Sequence, residues 1–130
     1  RSRQDSRACR QAGVLAVIYL SVPYSGMEEL SFEVSCLMAA FLMKTGATVL
    51  SPIIQGHVLA SKYDMPCDHE FWLKHDLEML KKCDEMYVIA LPGWEQSVGV
   101  QREIEEAGRL GIPVVFLETD ELIQEGDVRK

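Results

Sequence analysis

Residues 14–20 read V-L-A-V-I-Y-L, an unbroken apolar run rich in β-branched side chains. A strand with one wet face alternates apolar and polar residues, so a run without alternation marks the interior of a parallel sheet covered by helices on both faces. Shorter strand-like runs follow at 47–52, 86–91 and 113–117. Between them the pattern turns helical. Residues 27–45 carry helical spacing with Gly46 at the position of a C-cap. Asp68 caps a predicted helix reaching about Lys82, and Ser97 opens another that runs to Leu110 and stops at Gly111. Residues 53–67, with Gly56, His57, Tyr63 and Pro66 and no clear periodicity, are expected as a long loop. Strands alternate with helices, and right-handed crossovers then dictate a four-stranded parallel sheet in the order 2-1-3-4. In such sheets ligands sit beyond the carboxyl ends of the strands where the order reverses. That point gathers residues 19–26, 51–57 and 92–97.

A chain of 130 residues, 48% of them hydrophobic, suits one core. Residues 12–130 are read as a single domain. Residues 1–11, with Arg1, Arg3, Arg7 and Arg10 against Asp5, are read as a flexible basic tail. The net charge of −7 argues against bulk nucleic acid as a partner, because phosphate binding needs a basic face. No apolar run is long enough to span a bilayer, so a soluble protein without a membrane partner is expected. The four cysteines, Cys9, Cys36, Cys67 and Cys83, form no CxxC pair and read as reduced thiols of a cytoplasmic protein. Cys67 with His57, His69 and His75 matches no zinc spacing, and neither metal nor cofactor is expected.

Two carboxylates fall where apolar side chains belong. Val100, Ile104, Ala107, Gly108 and Gly111 follow the spacing of a sheet-facing helix stripe, and Glu103 lies inside it. Arg102, Glu105, Glu106 and Arg109 project from the outer side. On the preceding helix Trp72, Leu73, Leu77 and Leu80 define the apolar face, with Asp76 among them. A carboxylate buried without partners is costly, so each acid needs hydrogen-bond donors or a function. Both readings stand at this point: a catalytic pair open to a pocket, or two acids satisfying backbone groups and a tyrosine hydroxyl. Other residues carry similar pairs of readings. Ser97 and Gly99 open a helix and either hold an anion or simply cap it. Tyr19 either packs or takes part in chemistry. His57 is a ligand contact, a general base or a solvated loop side chain. Trp94 and Trp72 either stack on a base or, for Trp72, fill the core.

Four landmarks in order resemble the nucleoside 2-deoxyribosyltransferase-like superfamily, which includes the deoxynucleoside monophosphate N-glycosidases. They are I-Y-L at 18–20, Asp76 and Asp84 within D-L-E-M-L-K-K-C-D, and S-V-G-V-Q-R-E-I-E-E-A at 97–107 followed by G-I-P-V. The P-Y-S near Pro23, S-P-I at 51–53 and L-P-G-W-E at 91–95 are most similar to a small bacterial and phage subgroup of unassigned function. The resemblance implies an α/β, flavodoxin-like three-layer sandwich acting on the N-glycosidic bond of a nucleoside or nucleotide. By it, Glu103 is the nucleophile, Asp76 the acid near the leaving base and Tyr19 the group that orients Glu103. Ser97, Gly99, Ser21, Pro23, Ser25, His57 and Trp94 surround the substrate. The loop S-V-P-Y-S-G at 21–26 departs from the family by lacking the glycine-serine-arginine grip on a 5′-phosphate, and Glu105 replaces a glycine. That departure keeps a second reading open, a non-catalytic module sensing a nucleotide or nucleotide-sugar. Residues 34–43, V-S-C-L-M-A-A-F-L-M, are apolar nearly all round. One face covers the sheet and the other calls for a second copy, so a homodimer or larger homo-oligomer is expected.

Overall fold

Along the first strand, side chains alternate between two cores. The computed structural model describes residues 16–118, and here β1 is Val17–Ser21. Ile18 and Leu20 join one apolar cluster with Val34, Met38, Ala39 and Leu42, whereas Tyr19 joins another with Leu80, Met86, Val88, Val100 and Ala107. The period-2 geometry of a strand sends successive side chains to opposite faces, and each face is covered by its own helices. Those helices are α1 (Glu28–Lys44) and α2 (Pro52–Lys62) on one side, and α3 (His69–Leu80) and α4 (Val98–Leu110) on the other. The remaining strands are β2 (Thr48–Leu50), β3 (Glu85–Ala90) and β4 (Val114–Glu118).

All pairings are parallel and the sheet runs β2-β1-β3-β4, the order expected. Tyr19 sits level with Leu50 on one neighbour and Met86 on the other, and Ser21 with Val88. The fully buried Leu20, Leu80 and Ile89 each contribute roughly 1.5–3 kcal/mol of apolar burial. Asp84 is buried where β3 begins. Its Oδ2 accepts from the Val17 backbone N–H at 2.9 Å while its own N–H donates to the Val17 carbonyl, stitching β3 to β1.

One segment differs from expectation. Pro52, read as the end of the second strand, and residues 53–62, read as loop, form α2. The start signals are present, since Ser51 accepts from the Ile54 N–H at 3.4 Å and Pro52 occupies the first turn, where its missing N–H costs nothing. Gly56 hides the periodicity. A Cβ there would lie 3.2 Å from Cζ3 of Trp72, so the glycine lets α3 approach α2. Only the stretch from Tyr63 to Asp68 remains as connection.

The basic segment 1–11, and Val14 and Leu15 of the predicted first strand, lie outside the described residues, as does the chain beyond Glu118. Helix α1 buries Val34, Met38, Ala39 and Leu42 and turns Leu30, Phe41 and Met43 outward. Among the described residues no helix is long and apolar enough to cross a membrane.

Candidate active site

Glu103 is carried on the inner stripe of α4, one turn after Val100 and one before Ala107, and is only 7% exposed. The stripe faces the side of β1 that presents Tyr19 and Ser21, two residues apart and therefore on one face. Both hydroxyls reach the carboxylate: Tyr19 donates to Oε2 at 2.5 Å and Ser21 to Oε1 at 2.7 Å. Each oxygen of a buried acid is thus satisfied from the strand beneath it, which offsets part of the penalty for burying it.

Glu103 and Asp76 line the same cleft of about 680 Å³, the size range of small-molecule sites. It opens at the carboxyl ends of β1 and β3, where the strand order reverses. Asp76 comes from α3 with its side chain 16% exposed, and His75 Nδ1 stands 3.6 Å away. Burial pushes Asp76 up to about 7. Glu103 also reaches about 7, raised by burial, pulled back by the Tyr19 and Ser21 hydrogen bonds, and raised again by the Asp76 charge. Two acids that titrate near neutrality in one cleft can divide between a proton-bearing and a charged role. Burial, followed by the charges of Glu103 and Asp76, holds the Tyr19 phenol well above its ordinary range, so it stays a donor.

The other anticipated positions fall in three groups. Pro23, Ser25, His57, Ser97 and Gly99 line the cleft. Ser97 also caps α4, accepting from the Val100 N–H at 3.3 Å, so the cap sits at the cleft wall. Tyr19 and Ser21 lie beneath the cleft and act on Glu103 rather than on its contents. Trp94 is absent from the lining. Its ring packs against Phe116 with centroids 5.1 Å apart, placing it in the apolar cluster under α4. Trp72 does form a cleft wall, held by an indole N–H donation to the Pro66 carbonyl at 2.7 Å. His57 is not a loop residue but part of α2, stacked on Phe32 with centroids 4.3 Å apart. Its Nδ1 meets the Tyr24 hydroxyl at 2.7 Å and its Nε2 lies 3.3 Å from Glu29. Sequence reasoning passed over Tyr24 and Glu29, and missed that Ser21 holds Glu103. The period-2 pairing of Ser21 with Tyr19 was the available signal for the last. Among the described residues no three His, Cys, Asp or Glu side chains cluster as a metal site would require.

Comparison with known proteins agrees with this architecture. The search of curated proteins returned no match. Among solved structures, the 2-deoxyribosyltransferase of the psychrotolerant bacterium Bacillus psychrosaccharolyticus is similar, with a TM-score of 0.60 and 29% sequence identity. The similarity covers 79% of this chain and 72% of that one. A family profile described as a domain of unknown function, DUF1937, matches residues 16–119. The chain therefore belongs to the DUF1937 family, and its fold is that of the nucleoside 2-deoxyribosyltransferase-like proteins.

Proposed function

We propose that the protein is a nucleoside-processing enzyme that breaks the N-glycosidic bond of a nucleoside or nucleotide, with Glu103 as nucleophile. The observation that carries this reading is the buried Glu103 carboxylate, held on both oxygens by Tyr19 and Ser21 and facing a cleft it shares with Asp76. Similarity to a 2-deoxyribosyltransferase supports the reaction class.

Glycosidic cleavage builds positive charge on the sugar, and a fixed carboxylate beside the anomeric carbon stabilises it. Two hydroxyl donors favour the ionised form of Glu103, while Asp76, raised chiefly by burial, is the acid that keeps its proton. In the first step a Glu103 oxygen bonds to C1′ as the C1′–N bond breaks. The bonding pair leaves with the base, which takes the Asp76 proton. In the second step water or another base attacks C1′, the ester to Glu103 breaks, and the proton of the attacking group passes to the Asp76 carboxylate. Water gives hydrolysis and a base gives transfer. Ser97 and Gly99, at the amino end of α4, together with Pro23, Ser25 and His57, contact the substrate around this axis.

Two further features complete the proposal. The outward Leu30 and Phe41, about three turns apart on one side of α1, form the face for a second copy, giving a homodimer or larger assembly. Cysteines without paired spacing fit a cytoplasmic setting. The test is incubation with a panel of nucleosides and nucleotides, with and without a second free base, following released and exchanged base by chromatography. Release in the wild type and its loss in Glu103→Ala supports the reading. Binding without release in the wild type moves the protein to a sensing role.

A further inference from the structure

The cleft has a second polar device, distant in sequence from Glu103, at the turn that follows β1. Gly26, with φ of 85°, lets the chain reverse between Tyr24 and Met27, whose N–H donates to the Tyr24 carbonyl at 3.0 Å. The Ser31 hydroxyl of α1 donates to the Pro23 carbonyl and fixes the turn to the helix. Tyr24 is thereby set at the cleft wall, where its hydroxyl meets His57.

The His57 ring is stacked on Phe32 and has both nitrogens engaged, by Tyr24 and by Glu29. The Glu29 carboxylate, 3.3 Å from Nε2, favours the tautomer that carries its proton on Nε2. In the neutral ring Nδ1 is then the acceptor for the Tyr24 O–H, and the Tyr24 oxygen keeps its lone pairs for a donor on the ligand. Burial, then the charges of Glu28 and Glu29, raise the Tyr24 phenol, so it remains a hydroxyl. A phosphate dianion placed here would bring no donor and would face Glu28 and Glu29. A sugar hydroxyl brings a donor and no charge. The charge of the cleft agrees, since its described lining carries Glu28, Asp76 and Glu103 and no Lys or Arg.

We infer that Tyr24, braced through His57 by Glu29, is a specificity-determining residue that accepts a hydrogen bond from a sugar hydroxyl, and that the cleft takes free nucleosides in preference to their 5′-phosphates. This deepens the proposed function and rests on it.

The experiment compares base release from the four common 2′-deoxynucleosides, their 5′-monophosphates, and analogues lacking the 5′- or the 3′-hydroxyl. Calorimetric binding of the same compounds to Glu103→Gln runs in parallel. Nucleosides should exceed their phosphates by about 100-fold or more in kcat/KM, because the described lining offers a phosphate no Lys or Arg and sets it against Glu28, Asp76 and Glu103. Tyr24→Phe should lower kcat/KM about tenfold on intact nucleosides and have no further effect on one of the two deoxy analogues, the one lacking the hydroxyl that Tyr24 reads. His57→Ala, which leaves the phenol unbraced, should show the same selective loss. Phosphates turned over or bound as well as nucleosides would overturn the inference while leaving the proposed function standing. So would a Tyr24→Phe loss equal on every analogue, which is the mark of a structural role. No binding and no release from any compound would overturn the proposed function and this inference with it.

Discussion

The Tyr19 hydroxyl donates to Glu103 at 2.5 Å across a sequence separation of 84 residues, joining the centre of the sheet to the inner face of the last helix. The donor is fully buried, so this hydrogen bond is protected from competition by water. Tyr19→Phe removes it at almost constant volume. The kcat should fall about 10- to 100-fold and the stability by roughly 1–3 kcal/mol, because a buried carboxylate oxygen loses its partner. The acidic limb of the pH–rate profile should move to higher pH, since the Tyr19 hydrogen bond lowers the Glu103 pKa. Kinetics across pH and denaturant unfolding of the purified variant check these effects.

Asp76→Asn separates the two carboxylates. The rate on nucleosides with poor leaving bases should fall about 10²–10⁴-fold, the usual worth of a positioned acid. The alkaline limb of the profile, expected near 7 in the wild type because burial pushes Asp76 up to about 7, should disappear because the group that must stay protonated is gone. The acidic limb should stay in place, because a protonated Asp76 carries no charge while Glu103 ionises and Asn is equally neutral. A profile identical to the wild type would assign the proton to another group.

Folding stability should decline as pH rises from about 4.5 to 7. In that window the unfolded chain has released the Glu103 proton while the folded chain still holds it, so the folded state binds more protons and loses stability with increasing pH. A rise from 4.5 to about 7 corresponds to on the order of 3 kcal/mol for this group. Glu103→Gln should remove its share of the slope, leave the share of Asp76, which burial also pushes up to about 7, and be more stable than the wild type above neutrality. Denaturant unfolding at pH 4, 5.5 and 7.5 measures it.

Ser97→Ala tests the double role of the residue that opens α4. Loss of the cap to the Val100 N–H should cost about 1 kcal/mol. The hydroxyl proton left for a ligand is lost too, so KM should rise several-fold with kcat nearly unchanged. Ser97→Asp keeps the cap and should restore the melting temperature without restoring KM.

The sheet order was readable because the strands are short apolar runs separated by helices, a pattern with few permitted topologies. Glu103 and Asp76 were readable for the opposite reason: each breaks an otherwise apolar helical stripe. Helix α2 was not, because Gly56 serves the Trp72 ring rather than helix propensity and so interrupts the periodicity on which recognition depends. Trp94 packs beside Phe116, a contact set by how β4 meets the turn after β3 and carried by no local pattern. The link among Tyr24, His57 and Glu29 joins three segments through one side-chain hydrogen bond and one close ion-pair contact, and such links have no signature in a single sequence.

The most direct test of the central claim is the rate of base release by Glu103→Ala on whichever nucleoside the wild type cleaves. A nucleophile that forms the covalent intermediate cannot be replaced by solvent at comparable speed, so kcat should drop by about 10³-fold or more. Circular dichroism and ligand binding should stay close to the wild type. Release at a rate near that of the wild type would remove Glu103 from the chemistry.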